Sequence, residues 1–463
     1  MRKLIKNSAL LCIIGIFIFL GDMQGQLTSI TGTRVRGAPA GPEGTLVITG
    51  GRIFDGTGAA VRSGTIVIER NRIQKILPPG ATDWPLDAQV IDVMGKTVMP
   101  GLIAVHEHIT KAKGVIIPGP NVKTYAVLGT INAVERLKWY IESGITSIRD
   151  MGSHGDIPFR LRDMVAMNRV CGPRLFPAGQ LITTTGGNST EGMWYGNYIN
   201  VEVPEAILVS AEWPVNGPDA WLQIVRQQWT NGATLISIAS HFSRAEVEAA
   251  VEEAHILGLK VAADAETFYI QWAIEAGVDV IEHLWPRTDE TIQLMASNGT
   301  QAVPTITSAM RTIEQEGGIY GLASRRFTAT RESIMETFRK MKHAGIKMGV
   351  GIDMGNEVAG LPSSYIEELK YFVQGGYSIT EALVAATKTN AEILDIEDEL
   401  GTLEAGKLAD ITVIDGKPEV NLDDISRTHL VIRDGYIVVK DGRIFIPAHD
   451  PMARMPKDHW SIR

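Results

Sequence analysis

The hydrophobic and polar positions of this chain fall into two textures. In the first, stretches with helical character end on a glycine and run at once into a short apolar strand, at Gly144-Ile145-Thr146, Gly232-Ala233-Thr234, Gly258-Leu259-Lys260, Gly277-Val278-Asp279, Gly299-Thr300-Gln301 and Gly345-Ile346-Lys347. Glycine tolerates the left-handed conformation that closes a helix, so helix, glycine and strand in series describe βα units. Two further strands fit the series, at residues 96–105 and, after Gly172-Pro173, at 174–180. The sum predicts an α/β fold of eight parallel strands closed as a (β/α)8 TIM barrel over residues 97–398, with chemistry gathered at the C-terminal ends of the strands.

The second texture is strand alternation, and it flanks the first on both sides. It covers residues 45–48, 65–69, 72–77 and 88–92 before the barrel, with turns at Asp55-Gly56 and Arg70-Asn71, and 409–415, 429–433, 436–440 and 443–446 after it. Two β-rich flanks around a βα core predict a small composite β-sandwich domain, one part from residues 45–96 and the other from 399–447. Residues 26–44, rich in Gly, Thr, Ser and Pro, read as a linker, and 448–463 as a C-terminal tail.

The N-terminus has its own pattern. Arg2, Lys3 and Lys6 precede an apolar run over residues 8–20 that is short for a membrane span, which is the arrangement of a secretory signal occupying residues 1–25. The expected product is secreted or periplasmic, without stable membrane insertion once the signal is removed. Losing Arg2, Lys3, Lys6 and Asp22 removes a net +2, so the formal charge moves from −9 to −11. So acidic a chain is a poor partner for nucleic acid. Cys171 is then the sole cysteine, so no internal disulfide forms and the core must supply the stability. A small-molecule substrate is the expected partner, and a homo-oligomer is compatible with the sequence.

The strand ends carry His106, His108, Asp150, Ser237, Asp264, Glu266, His283 and Asp353. Strand side chains alternate faces, so His106 and His108 point together into the barrel mouth and Glu107 points away. Two imidazoles a pleat apart grip one divalent ion, and the remaining ligands must come from other strands. Asp353 ends the last strand, where a carboxylate beside a cation both ligates it and takes a proton. His283 is either a ligand or a hydrogen-bonding electrophile. Asp264 and Glu266 both face the mouth, and either could coordinate. His241, His255, His343 and His429 read as ordinary surface or packing histidines. The long connection between Gln180 and Gly232 carries Trp194, Tyr195, Tyr198, Trp213 and Trp221, which fit either a lid over a ligand or packing on the outer helices.

In this order the motifs Pro100-Gly101-Leu102-Ile103-Ala104-Val105-His106-Glu107-His108, Gly144-Ile145-Thr146-Ser147-Ile148-Arg149-Asp150, Ile281-Glu282-His283, Gly351-Ile352-Asp353 and Gly401-Thr402-Leu403-Glu404-Ala405-Gly406-Lys407-Leu408-Ala409-Asp410 resemble the amidohydrolase superfamily over residues 45–446. The most similar branch is that of imidazolonepropionases and prolidase-like or Xaa-Pro dipeptidase-like enzymes. The resemblance implies a metal-activated water attacking an amide or other C–N bond, with Asp353 as proton shuttle. Four positions depart from the family pattern. Ala104 replaces an aspartate, Ser237 stands where a bridging carboxylated lysine is usual, Asp264-Ala265-Glu266 replaces His-Ala-His, and Asn188 replaces the histidine of a Gly-Gly-His. A binuclear site without that lysine and imidazole has lost most ligands of its second ion. What remains is a single ion on His106, His108, Asp264 and Asp353, zinc first and iron or manganese next, with catalysis by Asp353 and His283. Glu266, Ser237 and Asn188 are left as substrate-facing or supporting positions. The expected function is an exported metal-dependent hydrolase of small amides such as dipeptides, N-acyl amino acids or cyclic amides. The alternative is a catalytically degenerate relative that binds a small ligand or partner.

Overall fold

The computed structural model describes residues 41–110, 122–187, 212–266, 268–320, 327–353 and 361–445. The expected signal, most of the linker, the C-terminal tail, Asn188 and the aromatics Trp194, Tyr195 and Tyr198 lie outside the described residues. No helix among the described residues is long and apolar enough to cross a membrane.

The N-terminal flank forms β1 (Thr45–Ile53), β2 (Arg62–Glu69), β3 (Arg72–Leu77), β4 (Gln89–Asp92) and β5 (Thr97–Pro100). A second group follows: β6 (Leu102–Glu107), β7 (Ile145–Asp150), β8 (Arg174–Pro177), β9 (Leu181–Thr183), β10 (Glu212–Pro214), β11 (Ile236–Ala239), β12 (Val261–Asp264), β13 (Val280–Glu282) and β14 (Gln301–Val303). A two-residue pair, β15 (Ile319–Tyr320) and β16 (Phe327–Thr328), precedes the C-terminal flank of β17 (Ile411–Ile414), β18 (Thr428–Arg433), β19 (Tyr436–Lys440) and β20 (Arg443–Ile444).

Both flanks enter one nine-stranded sheet in the order β20-β19-β18-β17-β5-β1-β2-β3, with β4 beside β1. The seam is antiparallel, Ile411 opposite Pro100 and Ile414 opposite Thr97. Ile48, Ile66 and Ile73 from the first flank share a buried apolar cluster with Ile411, Val413 and Ile432 from the last. The two ends of the described chain thus complete one core.

The middle of the chain is parallel. β6, β7 and β8 form one sheet and β10-β9-β11-β12-β13-β14 another. Residues 174–183 link them: β8 pairs with β7, Pro177 O accepts from Thr234 N at 2.9 Å, and β9 pairs with β11 at Ile182 opposite Ile238. At the far edge, Ala302 of β14 bridges Met348, Val105 N donates to Val350 O at 3.0 Å, and Asp353 N donates to His106 O at 2.9 Å. The six glycines at the predicted helix ends, Gly144, Gly232, Gly258, Gly277, Gly299 and Gly345, all adopt φ between +70° and +96°.

One predicted strand is divided. Residues 97–100 belong to the β-rich sheet and 102–107 to the parallel one, with Gly101 between them. Gly101 N bonds to Asp410 O and Leu102 N to Gly144 O, so the chain changes partner within one residue. A side chain at Gly101 would put its Cβ 2.0 Å from Thr146 Oγ1, so only glycine allows that approach. Arg174 then ties the two regions together through Asp410 and Asp434, each at 2.9 Å.

Trp221 is fully buried against Phe242, and its Nε1 donates to Val215 O; Trp213 packs on the same core. Of the five aromatics in the long connection, these two serve packing.

Candidate active site

His106 is the penultimate residue of β6 and His108 follows that strand by one. Each imidazole is held at Nδ1. His106 Nδ1 meets Glu282 Oε2 at 2.6 Å and His108 Nδ1 meets Gly152 O at 2.8 Å, which leaves the two Nε2 atoms facing Asp353 Oδ1 at 3.7 and 3.4 Å. These three residues each offer one donor atom, all within 4.8 Å of one another. His106 Nε2 is buried and makes no hydrogen bond among the described residues, and such a nitrogen normally has a ligand. Two imidazole nitrogens and a carboxylate oxygen suit a divalent ion. The segment expected to be the eighth strand is extended chain with a single bridge at Met348, and Gly351 lets it close on this group, since a Cβ there would stand 2.6 Å from that of His106.

A buried ion pair backs His106. Arg149 Nη2 bonds to Glu282 Oε1, and both side chains are 1 % exposed. Burial opposes charge on Glu282, but Arg149 and His106 overcome it and hold the carboxyl below its ordinary range. An ionised Glu282 fixes His106 with its proton on Nδ1 and its lone pair on Nε2. Glu107 faces away from the cluster, as alternation predicts, toward the hydroxyl of Tyr140 and the amide of Ile352.

Asp264 does not join the three-residue group. Its Oδ2 lies 3.6 Å from His283 Nε2 and its Oδ1 accepts from Trp285 Nε1 at 3.3 Å. Burial disfavours a charged His283, yet the carboxylates of Asp264, Asp353 and Glu282 prevail and push it up to about 9. His283 Nδ1 sits 2.7 Å from Thr305 Oγ1, its carbonyl accepts from Arg287 Nη2 at 2.7 Å, and its ring is 4.7 Å from that of His106. Ser308 Oγ donates to Asp353 Oδ2 at 3.0 Å. His283, Thr305 and Asp353 hold φ of +60°, +51° for Asp353 and +45° for Thr305, conformations that non-glycine residues adopt only where the surroundings impose them.

Glu266 pairs with His241 Nε2 at 3.0 Å and receives the Ser240 hydroxyl. His241 therefore borders the site at the end of β11, at φ +84°, rather than lying on the outer surface. Ser237, 3 % exposed, faces Ala262 across β11 and β12 and enters none of the site's hydrogen bonds among the described residues. Glu282, Arg149, Trp285, Thr305 and Ser308 received no role from the sequence. Arg149 and Glu282 had one legible signal, a charge inside an apolar strand run, which the interior accepts only when paired.

Glu368 lies behind Thr305, fully buried, with its two carboxylate oxygens on the amides of Ile306 and Thr307 at 2.9 and 2.7 Å. Burial dominates those bonds and pushes the carboxyl from its ordinary 4.5 up to about 7. The folded protein therefore keeps a proton that the unfolded chain has lost between those values. Its contribution is fully present below about pH 4.5 and is lost as pH rises through about 7, a change of about 3 kcal/mol. Urea midpoints from pH 4.5 to 8 should show that decline in the wild type, reduced in Glu368→Gln; an unchanged slope in the variant contradicts the assignment.

The Amidohydrolase family model matches residues 97–444. Imidazolonepropionase of Geobacillus sp. (strain WCH70) is 22% identical over 399 residues, which span 77% of this chain and 84% of that protein. Among solved structures, a Xaa-Pro dipeptidase with methionine bound in its active site superposes with a TM-score of 0.72 at 29% identity, covering 85% of this chain and 99% of its own. A prolidase complexed with N-methylphosphonate-L-proline gives 0.71 at 26% identity, covering 86% and 100%.

Proposed function

Since the chain belongs to the amidohydrolase family, we propose that it hydrolyses amide bonds of small molecules, using one divalent ion held by His106, His108 and Asp353. The observation that carries this is the convergence of three preset donors, each aimed by a hydrogen bond on its far side. Zinc is the first choice for two nitrogens and one oxygen, with iron or manganese next. The parallel strands are taken to close as a (β/α)8 barrel, supported by the hydrogen bonds that join Pro177 of β8 to Thr234 just before β11, and residues 347–353 to both β14 and β6.

When bound, a divalent ion supplies Lewis acidity, which polarises a carbonyl and acidifies water. The side chains divide the rest. Asp353 is anchored at Oδ2 by Ser308 and turns Oδ1 toward the two Nε2 atoms, and its carboxylate would take a proton from the attacking water and return it to the leaving nitrogen. His283 is anchored at Nδ1 by Thr305, and its Nε2, which faces Asp264 Oδ2 at 3.6 Å, would hydrogen-bond the substrate carbonyl oxygen as negative charge builds on it. Trp285, bonded to Asp264 and 5.4 Å from the His283 ring, walls the mouth.

With relatives named imidazolonepropionase and Xaa-Pro dipeptidase, the substrate class proposed here is small amides: dipeptides, N-acyl amino acids and cyclic amides. A panel of those three classes, assayed with the metal-loaded protein before and after chelation, tests the proposal. Release of a free amine or ring-opened acid that stops on chelation and returns with zinc is expected. Hydrolysis indifferent to chelation, or none across the panel, contradicts it.

A further inference from the structure

The groups that hold Asp353 and His283 come from one turn of helix. The helix Ile306–Glu316 begins at Thr305, whose hydroxyl meets His283 Nδ1, and three residues later Ser308 donates to Asp353 Oδ2. A displacement of that turn moves both anchors at once.

What fixes the turn is unusual. The first amides of a helix have no partner within it, and a threonine or serine at the N-cap normally turns its own hydroxyl onto them. Thr305 occupies that position without making a side-chain cap, because its hydroxyl is engaged by the imidazole. The orphan amides of Ile306 and Thr307 go instead to the two oxygens of Glu368, which projects from the neighbouring helix Ser363–Gln374. Each oxygen takes one amide, so a glutamine would lose one acceptor and set an NH2 against an N–H. Burying a carboxyl away from any basic partner works against stability, which is seen in the rise of Glu368 to about 7.

We infer that Glu368 is a positioning residue: by capping the helix Ile306–Glu316 from outside, it releases the Thr305 and Ser308 hydroxyls to aim His283 and Asp353. The inference rests on the roles proposed above for those two residues. The helix pair has a second link, since Arg311 bonds to Ser364 at 2.8 Å and to Glu367 at 3.1 Å, so loss of Glu368 should leave the two helices docked.

The test compares Glu368→Gln, Thr305→Val/Ser308→Ala and the triple variant with wild type. Three quantities are measured: the visible spectrum of the cobalt-loaded protein, kcat and KM on a small amide, and the urea midpoint at pH 8. Misplacement of reacting groups by a remote change is worth up to about 100-fold in rate. Glu368→Gln should therefore lower kcat by about 10- to 100-fold with KM little changed, perturb the cobalt spectrum, and keep the wild-type midpoint or exceed it. The triple variant should be no slower than Thr305→Val/Ser308→Ala, because Glu368 acts through those hydroxyls. Independent, multiplying losses, or a wild-type spectrum and kcat in Glu368→Gln, would overturn the inference. If Glu368→Gln does not fold, Glu368→Asp, which keeps both oxygens one methylene short, should lose less kcat and still show the spectral change; an unchanged spectrum there overturns it too. Should Asp353→Asn retain full turnover, the roles proposed for the site fail; should it be inactive while Glu368→Gln is normal, this inference fails alone.

Discussion

Asp353→Asn is expected to remove nearly all turnover, by about 10²–10⁴-fold, the usual worth of a placed general acid–base. The substitution keeps the shape of the side chain and the bond to Ser308, but an amide oxygen is a poor base and cannot carry the proton to the leaving nitrogen. His283→Asn should also slow the reaction while leaving metal retention near wild type. His283 lies beside the three-donor group, with its Nε2 3.6 Å from Asp264, rather than within it. Steady-state rates and metal content measured on the same preparations separate the two roles. An Asp353→Asn enzyme with near-normal kcat would remove Asp353 from the proton path.

The second large effect is on the ion itself. His106→Ala and His108→Ala should each lose the metal on dialysis and fall to background activity, since two donors cannot hold a divalent ion as three do. His106→Ala carries a further penalty, because Glu282 loses the imidazole bonded to its Oε2 and keeps the bond from Arg149. Removing one member of such a network leaves a buried group short of a partner, so its melting temperature should fall more than that of His108→Ala, whose Nδ1 meets the backbone carbonyl of Gly152. Equal melting temperatures in the two variants would show that Glu282 does not depend on His106.

The sequence was most informative where chemistry and local backbone coincide. Glycine in the left-handed region closes helices wherever it occurs, so the six helix ends were readable from single residues. The His106 and His108 pair was readable because a strand fixes the relation of residues two apart. What stayed hidden depends on contacts between distant residues. The change of sheet at Gly101 is set by Thr146 and Asp410, and no local pattern in residues 96–105 announces it. Asp264 looked like a ligand because it faces the mouth, but direction along a strand does not say which neighbour a carboxylate meets, and the nearest imidazole is His283. His241 read as a surface or packing histidine, and nothing local shows that the turn after β11 bends it at positive φ toward Glu266. Glu368 lies in an ordinary helical stretch, and its importance appears only when the helix it caps is seen beside it.

Ser237 sharpens the central claim. A carbamate bridge needs a lysine amine, and β11 offers a hydroxyl in that place, so no carbamate forms there and a second, closely spaced cation would need a carboxylate such as Asp264 or Glu266 as its bridge. Elemental analysis of the purified wild-type protein beside His106→Ala and His108→Ala tests this most directly. One divalent ion per wild-type chain, absent from both variants, is the predicted result. Two ions per chain, or none, would contradict it.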